Sequence, residues 1–290
     1  EFRKRALDLI ADRNYDSKSS AHYVVRTDDP RVDVVAVSAF LERFRTFFES
    51  VFYKPGPVHH EGPPVDVLLF YSRYKYDRLY ADVSGLGSAG AIGHYRPGYN
   101  VIAIHSDAVD PGDLPGVISH EAAHQLILDL LYGPKPKAMS RWVNEGLASY
   151  FGFTRMDKHG EFHDGEIGGQ EVQNLRDVPA GRAKEPRARL DRFRKLAGKA
   201  EPGFVDDLVR EEMQSAFYSD DVNDRYSAAW LLVHFLLHGE DGRLAGPFRE
   251  YISMEARGEV GADAFYKTIG VDPAKLEAEL TAYVKKLKAR

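Results

Sequence analysis

Residues 120–133 read "HEAAHQLILDLLYG", two histidines four positions apart with a glutamate directly after the first. On an α-helix, side chains four apart stand one turn above another on the same face, so His120 and His124 can converge on one cation. Neutral imidazole is a good zinc ligand, and two from one rigid helix reduce the entropy lost in assembling a site. Glu121 projects about 100° around the helix from His120 and need not ligate. It can stand beside the open coordination position as a general base. The plainer alternative is an amphipathic helix with two surface histidines, and the rest of the chain decides between them.

The helical reading extends outward from the motif. Asp113 is suited to cap the start, and Pro115 is tolerated in a first turn that lacks internal amide partners. Val117, Ile118, Leu126, Ile127, Leu130 and Leu131 supply the apolar positions. Gly133, followed by Pro134 and Pro136, ends the helix.

A catalytic zinc keeps three protein ligands and one open position. The chain has no cysteine, so a disulfide framework and thiolate ligands are both excluded and the third ligand is His, Asp or Glu. Downstream, "RWVNEGLASYF" (141–151) places Glu145 among Trp142, Val143, Leu147, Ala148, Tyr150 and Phe151. A lone carboxylate among such neighbours is costly to bury unless it is paired or binds a metal. The competing reading is a helix-start glutamate facing solvent, with Gly146 marking a close helix contact.

Together, "HEAAHQ" and "WVNEGLASYF" resemble the gluzincin metallopeptidases, the thermolysin and aminopeptidase N-like clan. With "HYVVRT" (22–27) and "RYSAAWLLVHFLL" (225–237), the chain is most similar to the bacterial peptidase-like family catalogued as domain of unknown function 1570. The likeness covers roughly residues 20 to 290, with its specificity concentrated in the zinc motifs. It implies that His120, His124 and Glu145 hold about one zinc per chain and that Glu121 is the base. It also implies an edge strand roofing a cleft, a place that "YNVIAIH" or "AIGHYRP" would fill. The resemblance has one notable departure. Aminopeptidases carry a Gly-Ala-Met-Glu-Asn motif whose glutamate grips the substrate's free amino group, whereas "GAIGHY" here has Gly93 in that place. This departure removes the residue on which the resemblance would base exopeptidase action on free N-termini, and exo- and endopeptidase action both stay open.

Amide hydrolysis builds an oxyanion, which a metal and a donor such as tyrosine stabilise. The resemblance puts Tyr226 in that role, although with sixteen tyrosines in the chain a packing role is the competing reading. His234, between Trp230, Leu231, Phe235 and Leu237, reads as a satisfied core histidine. Asn144 and Ser149 are candidates to orient the ligands, and His94 and Tyr95 to line the cleft. His59, His60, His159 and His163 fall in loop-like segments and read as surface residues.

At 290 residues the chain is long enough for a sizeable core, and 43% hydrophobic with 29% charged residues is ordinary for a globular protein. The formal net charge of −5 provides no field to gather nucleic acid or an anionic membrane. The basic run "RDVPAGRAKEPRARLDRFRKLAGK" reads as a solvated, mobile segment. The longest apolar stretch, "AAWLLVHFLL", is too short to cross a bilayer. The sequence starts at Glu1 without methionine, which leaves room for a removed upstream signal or anchor and favours a periplasmic or secreted location over a cytoplasmic one.

The expected fold class is α+β: a zincin-like metallopeptidase with a mixed α/β N-terminal lobe (1–139) and a mainly helical C-terminal lobe (140–290) around an active-site cleft. An opening helix precedes the β-rich "HYVVRT". Residues 32–53 have helical spacing through Val35, Leu41, Phe44, Phe48 and Val51, and "VDVLLFYS" (65–72) is a strand. "AIGHYRP" and "NVIAIHS" form a hairpin, and 157–203 is an irregular insert. The functional expectation is a zinc peptidase acting on peptide or protein. Its rivals are a zinc amide hydrolase acting on a non-protein, cell-wall substrate and a zincin-fold scaffold with a vestigial site. The intact Glu121 speaks against the scaffold.

Overall fold

Val65–Phe70 (VDVLLF) forms β3, and every one of its residues is buried. Such a run belongs in the middle of a parallel sheet covered on both faces. Its one charged residue, Asp66, is accommodated because Arg26 on the neighbouring strand donates to the carboxylate. The structure, a computed structural model, describes residues 4, 15–52, 62–84, 91–107, 109–133, 138–172, 175, 183–198, 202–211, 217 and 222–290. The expected opening helix and His59–His60 lie outside the described residues.

The fold is mixed α/β. It contains a five-stranded sheet formed by β1 (Asp16–Ser19), β2 (Tyr23–Thr27), β3, β4 (Gly93–Arg96) and β5 (Val101–His105). The strand order is β1-β2-β3-β5-β4. The β2/β3 and β3/β5 pairs are parallel, and the outer strands β1 and β4 run antiparallel to their neighbours. The hairpin expected around Pro97–Gly98 is the β4–β5 pair. Of the two segments named for an edge strand, "AIGHYRP" supplies the outermost strand and "YNVIAIH" lies inside the sheet.

The chain divides into two compact units. The first, Glu1–Gln125 with Met156–Phe162 and Gly169–Ala183, holds this sheet. Helix α1 (Val34–Phe52) starts where Asp33 accepts hydrogen bonds from the amides of Val35 and Ala36 at 2.8 and 3.2 Å. Its apolar stripe buries Phe40, Leu41, Phe44, Phe48 and Val51, whereas Val35, in the first turn, faces solvent. The Phe162 ring stacks on Phe47 with centroids 4.7 Å apart. Helix α2 (Arg73–Ser84) contributes Tyr76 and Leu79 to a cluster with Leu68, Phe70, Val101 and Ala103 of the sheet. The unit also holds the helix α3 (Leu114–Leu126) up to Gln125.

The second unit, Leu126–Arg155 with His163–Gly168 and Lys184–Arg290, is mainly helical. Helix α4 (Arg141–Gly152) is buried at every position from Trp142 to Gly152, as its sequence predicts. Strands β6 (Thr154–Met156) and β7 (Phe162–Ile167) pair as a ribbon. They are followed by α5 (Glu185–Ala197), α6 (Phe204–Arg210), α7 (Val222–His238), α8 (Ala245–Arg257), α9 (Ala262–Ile269) and α10 (Pro273–Val284). No helix among the described residues is long and apolar enough to cross a membrane.

The segment 157–203, expected to be irregular, contains β7 and α5 instead. The described part of its basic run forms a helix over Glu185–Ala197 because Pro186, Leu190 and Phe193 fall at helical spacing and are buried. Glu185 in the first turn and Arg194 and Lys195 in the last complement the helix dipole.

Gly146 sets the distance between α4 and α7. A methyl group there would stand 2.6 Å from the Ala229 carbonyl oxygen and 2.7 Å from Val233 Cγ2. The helix contact read from the sequence at Gly146 is therefore real. Alanine would gain about 1 kcal/mol of helix propensity but lose about 1–3 kcal/mol to overpacking, and because the close neighbour is backbone the loss falls at the upper end. Gly146→Ala is thus expected to lower the urea midpoint, with a net loss approaching about 2 kcal/mol. An unchanged midpoint would rule out this contact.

Candidate metal centre

Strand β5 leads through the turn at Asp110–Asp113 into α3, which has Pro115 in its first turn. The helix buries Ile118, Ala122, Ala123 and Leu126, which leaves His120 and His124 half-buried on another face. After Leu126, still in right-handed helical conformation, the chain continues as a π-helix over Ile127–Tyr132. It ends at Gly133, with φ +77°. Gly133 ends the helix as the sequence predicts. The last turns are wider than α because their hydrogen bonds skip five residues instead of four.

The Nε2 atoms of His120 and His124 lie 3.1 Å apart, and their rings are nearly perpendicular at 87°. Two nitrogens on a tetrahedral zinc, with bonds of about 2.0–2.1 Å, are separated by about 3.3 Å. The pair is therefore already spaced for one ion. Glu145 on α4 is 4% exposed, with Arg141 Nη1 one turn earlier at 3.8 Å from Oε1. One ligating atom each from His120, His124 and Glu145 lies within 4.8 Å of the others. No other group of three histidine or acidic side chains comes together in this way among the described residues. Two imidazoles and a carboxylate are a donor set that suits zinc and leave a fourth position open. The residues fit such an ion.

Glu121 is 7% exposed and packs against β4. A Cβ built on Gly93 would meet Ile104 Cγ1 at 2.8 Å and Glu121 Cγ at 3.2 Å. A side chain at position 93 would therefore press first on Ile104, then on the Ala103 carbonyl oxygen and Glu121. Sequence reading identified Gly93 only as a missing glutamate and overlooked this contact.

Because strand side chains alternate, His94 points to the face opposite the one Gly93 shares with Tyr95. There its Nδ1 meets the hydroxyl of Tyr76 at 2.6 Å. Burial, then the charge of Arg96, push the His94 pKa down to about 3. Burial, then the Glu121 carboxylate, raise that of Tyr76. His94 is therefore neutral, and its Nδ1 shares one hydrogen bond with the Tyr76 hydroxyl. This pairing anchors His94 to α2.

Tyr226, in the second turn of α7, has its ring edge against Phe217 at 5.5 Å. The Arg189 guanidinium lies 5.2 Å from the ring centroid. His234 is a core histidine: it is 2% exposed and Tyr283 meets its Nδ1 at 2.9 Å. Asn144 and Ser149 are buried on α4. His159 is exposed and His163 partly so.

Residues 116–250 match the family described as Protein of unknown function (DUF1570). The matched span includes His120, Glu121, His124, Glu145 and Tyr226. No curated protein matches the chain.

Two expectations can be measured. Burial, then His238, hold the His234 pKa at about 3, below its ordinary 6.5. Between pH 6.5 and 3 the unfolded chain therefore takes up a proton that the folded chain excludes. The stabilisation is complete above that window and is lost as pH falls through it. Replacing His234 with Gln should flatten the pH dependence of unfolding in the window by up to about one proton; an unchanged slope contradicts the assignment. Gly93→Ala should destabilise the fold by about 1–3 kcal/mol in denaturant unfolding, and no loss would mean that Glu121 and Ile104 do not press on this strand.

Proposed function

We propose that this chain is a zinc-dependent metallopeptidase of the gluzincin type, with a zincin-like fold, hydrolysing peptide bonds in a substrate cleft. The observation that carries the reading is the convergence of His120, His124 and Glu145, with Glu121 adjacent on the same helix. When bound, the zinc would act as a Lewis acid toward water and the scissile carbonyl. His120 and His124 hold the ion from one helix, and Glu145 brings the negative charge that keeps the site from being purely neutral. Glu121 takes a proton from the attacking water as the new C–O bond forms, then returns it to the amine nitrogen as the C–N bond breaks. Tyr226 is assigned the hydrogen bond to the developing oxyanion.

Arg141 has a supporting role. It lies one helical turn before Glu145 and forms a long salt bridge with the carboxylate, Nη1 to Oε1 at 3.8 Å, that offsets part of its charge. Gly93 excludes a side chain from the strand position next to Glu121, which leaves the base room on that side.

Metal analysis of the purified chain is expected to give about one zinc per molecule. Glu121→Gln should retain the zinc while peptide hydrolysis falls by at least about 10²–10⁴-fold. Tyr226→Phe should retain the zinc and lower kcat by about 10²–10³-fold. A wild-type chain that binds zinc but cleaves nothing in a broad peptide library would refute the peptidase reading. A chain that binds no zinc would remove the metal centre as well.

A further inference from the structure

Glu255 is fully buried in the last turn of α8, where a carboxylate is disfavoured by the helix dipole. Among the described residues no cation pairs with it, and its donors are neutral. The Tyr132 hydroxyl donates to Oε2 at 2.5 Å and the Tyr251 hydroxyl to Oε1 at 2.8 Å. The Ser140 amide reaches both oxygens at 3.3 Å, and the Ser140 hydroxyl also donates to Oε1. Burying an ion in this way is tolerated only when hydrogen bonds fill its lone pairs. Here they do, from three elements of the chain.

Two of these elements carry the candidate ligands. Tyr132 is the last residue of the π-helix that continues α3, the helix of His120 and His124. Ser140 is the N-cap of α4, the helix of Glu145. A serine at an N-cap ordinarily turns its oxygen toward the helix amides. Ser140 makes no such bond and donates to Glu255 instead. The carboxylate therefore stands at the positive end of α4 and is better placed for that helix than for its own. Burial, then the Glu255 charge, raise the pKa of both tyrosine hydroxyls, so both remain protonated donors.

We propose that Glu255 is a positioning residue of the metal centre: it joins the end of the histidine helix to the start of the Glu145 helix and fixes the spacing of the three ligands. The inference rests on the metal reading above. Metal-site partners beyond the ligands themselves typically contribute tenfold to hundredfold in affinity. Glu255→Gln keeps the side-chain shape but replaces one acceptor oxygen with a donor, which faces a hydroxyl or amide that also donates.

The test uses the full metal-free chain and zinc alone, in competition with a chromophoric chelator, at a temperature where circular dichroism shows both proteins folded. Glu255→Gln is expected to weaken zinc binding by about 10–100-fold and to shift the visible absorption bands of the cobalt-loaded form. Those bands report ligand geometry and would not move if Glu255 only stabilised the fold. If Glu255→Gln does not fold, Tyr132→Phe and Ser140→Ala each remove one side of the link, and each is expected to weaken zinc binding several-fold. In the double variant the two losses should be less than additive. Wild-type zinc affinity and an unmoved cobalt spectrum in these variants would overturn the inference while leaving the metal centre intact. Failure of the wild-type chain to bind zinc would remove both.

Discussion

The approach of α4 to α7 at Gly146 is the constraint on which the position of Glu145 depends. With no side chain at residue 146, one helix backbone can lie against the carbonyl of Ala229. Trp142, packed against Phe248, Tyr251 and Phe265, then closes the beginning of the same helix. Burial of each large apolar side chain contributes about 1.5–3 kcal/mol, whereas a buried carboxylate costs several kcal/mol unless it is fully compensated. Arg141, at 3.8 Å and 27% exposed, contributes to that compensation. The aromatic packing of α4 around Trp142 holds the helix, and with it the carboxylate, in place.

Much of this was legible from local sequence. The apolar runs of β3 and α4, the stripe of α1 and the 120–124 spacing each have one dominant period, and each forms the expected element. The basic run at 185–197 concealed its helix because only three apolar side chains anchor it among many arginines and lysines. The π-helix was not legible, since Leu126, Ile127, Leu130 and Leu131 fit an ordinary α period equally well. Glu255 gave no local signal, because its partners Tyr132 and Ser140 lie 123 and 115 residues away in the chain. Gly93 reveals its role only beside Glu121, on another element.

Tyrosine hydroxyls recur beside several of the buried ionisable side chains. Tyr76 meets His94, Tyr283 meets His234, and Tyr132 and Tyr251 both meet Glu255. Tyr150 bridges Asp164 and His238, where Gly165, with φ +76°, brings the β7 backbone against the His238 ring. Burial is the first cause raising the pKa of every one of these hydroxyls. They therefore keep their protons near neutral pH and satisfy buried acceptors without adding charge.

The wide turns of Ile127–Tyr132 accommodate more residues than an α-helix of equal rise. Shortening that stretch by one residue would let the backbone relax into the commoner geometry, and the isolated helix would benefit. The same deletion would swing the Tyr132 ring about 100° around the axis, away from the carboxylate it now reaches. At this point in the chain, the preferred backbone geometry and the long-range contact favour different lengths, and the protein keeps the length that preserves the contact.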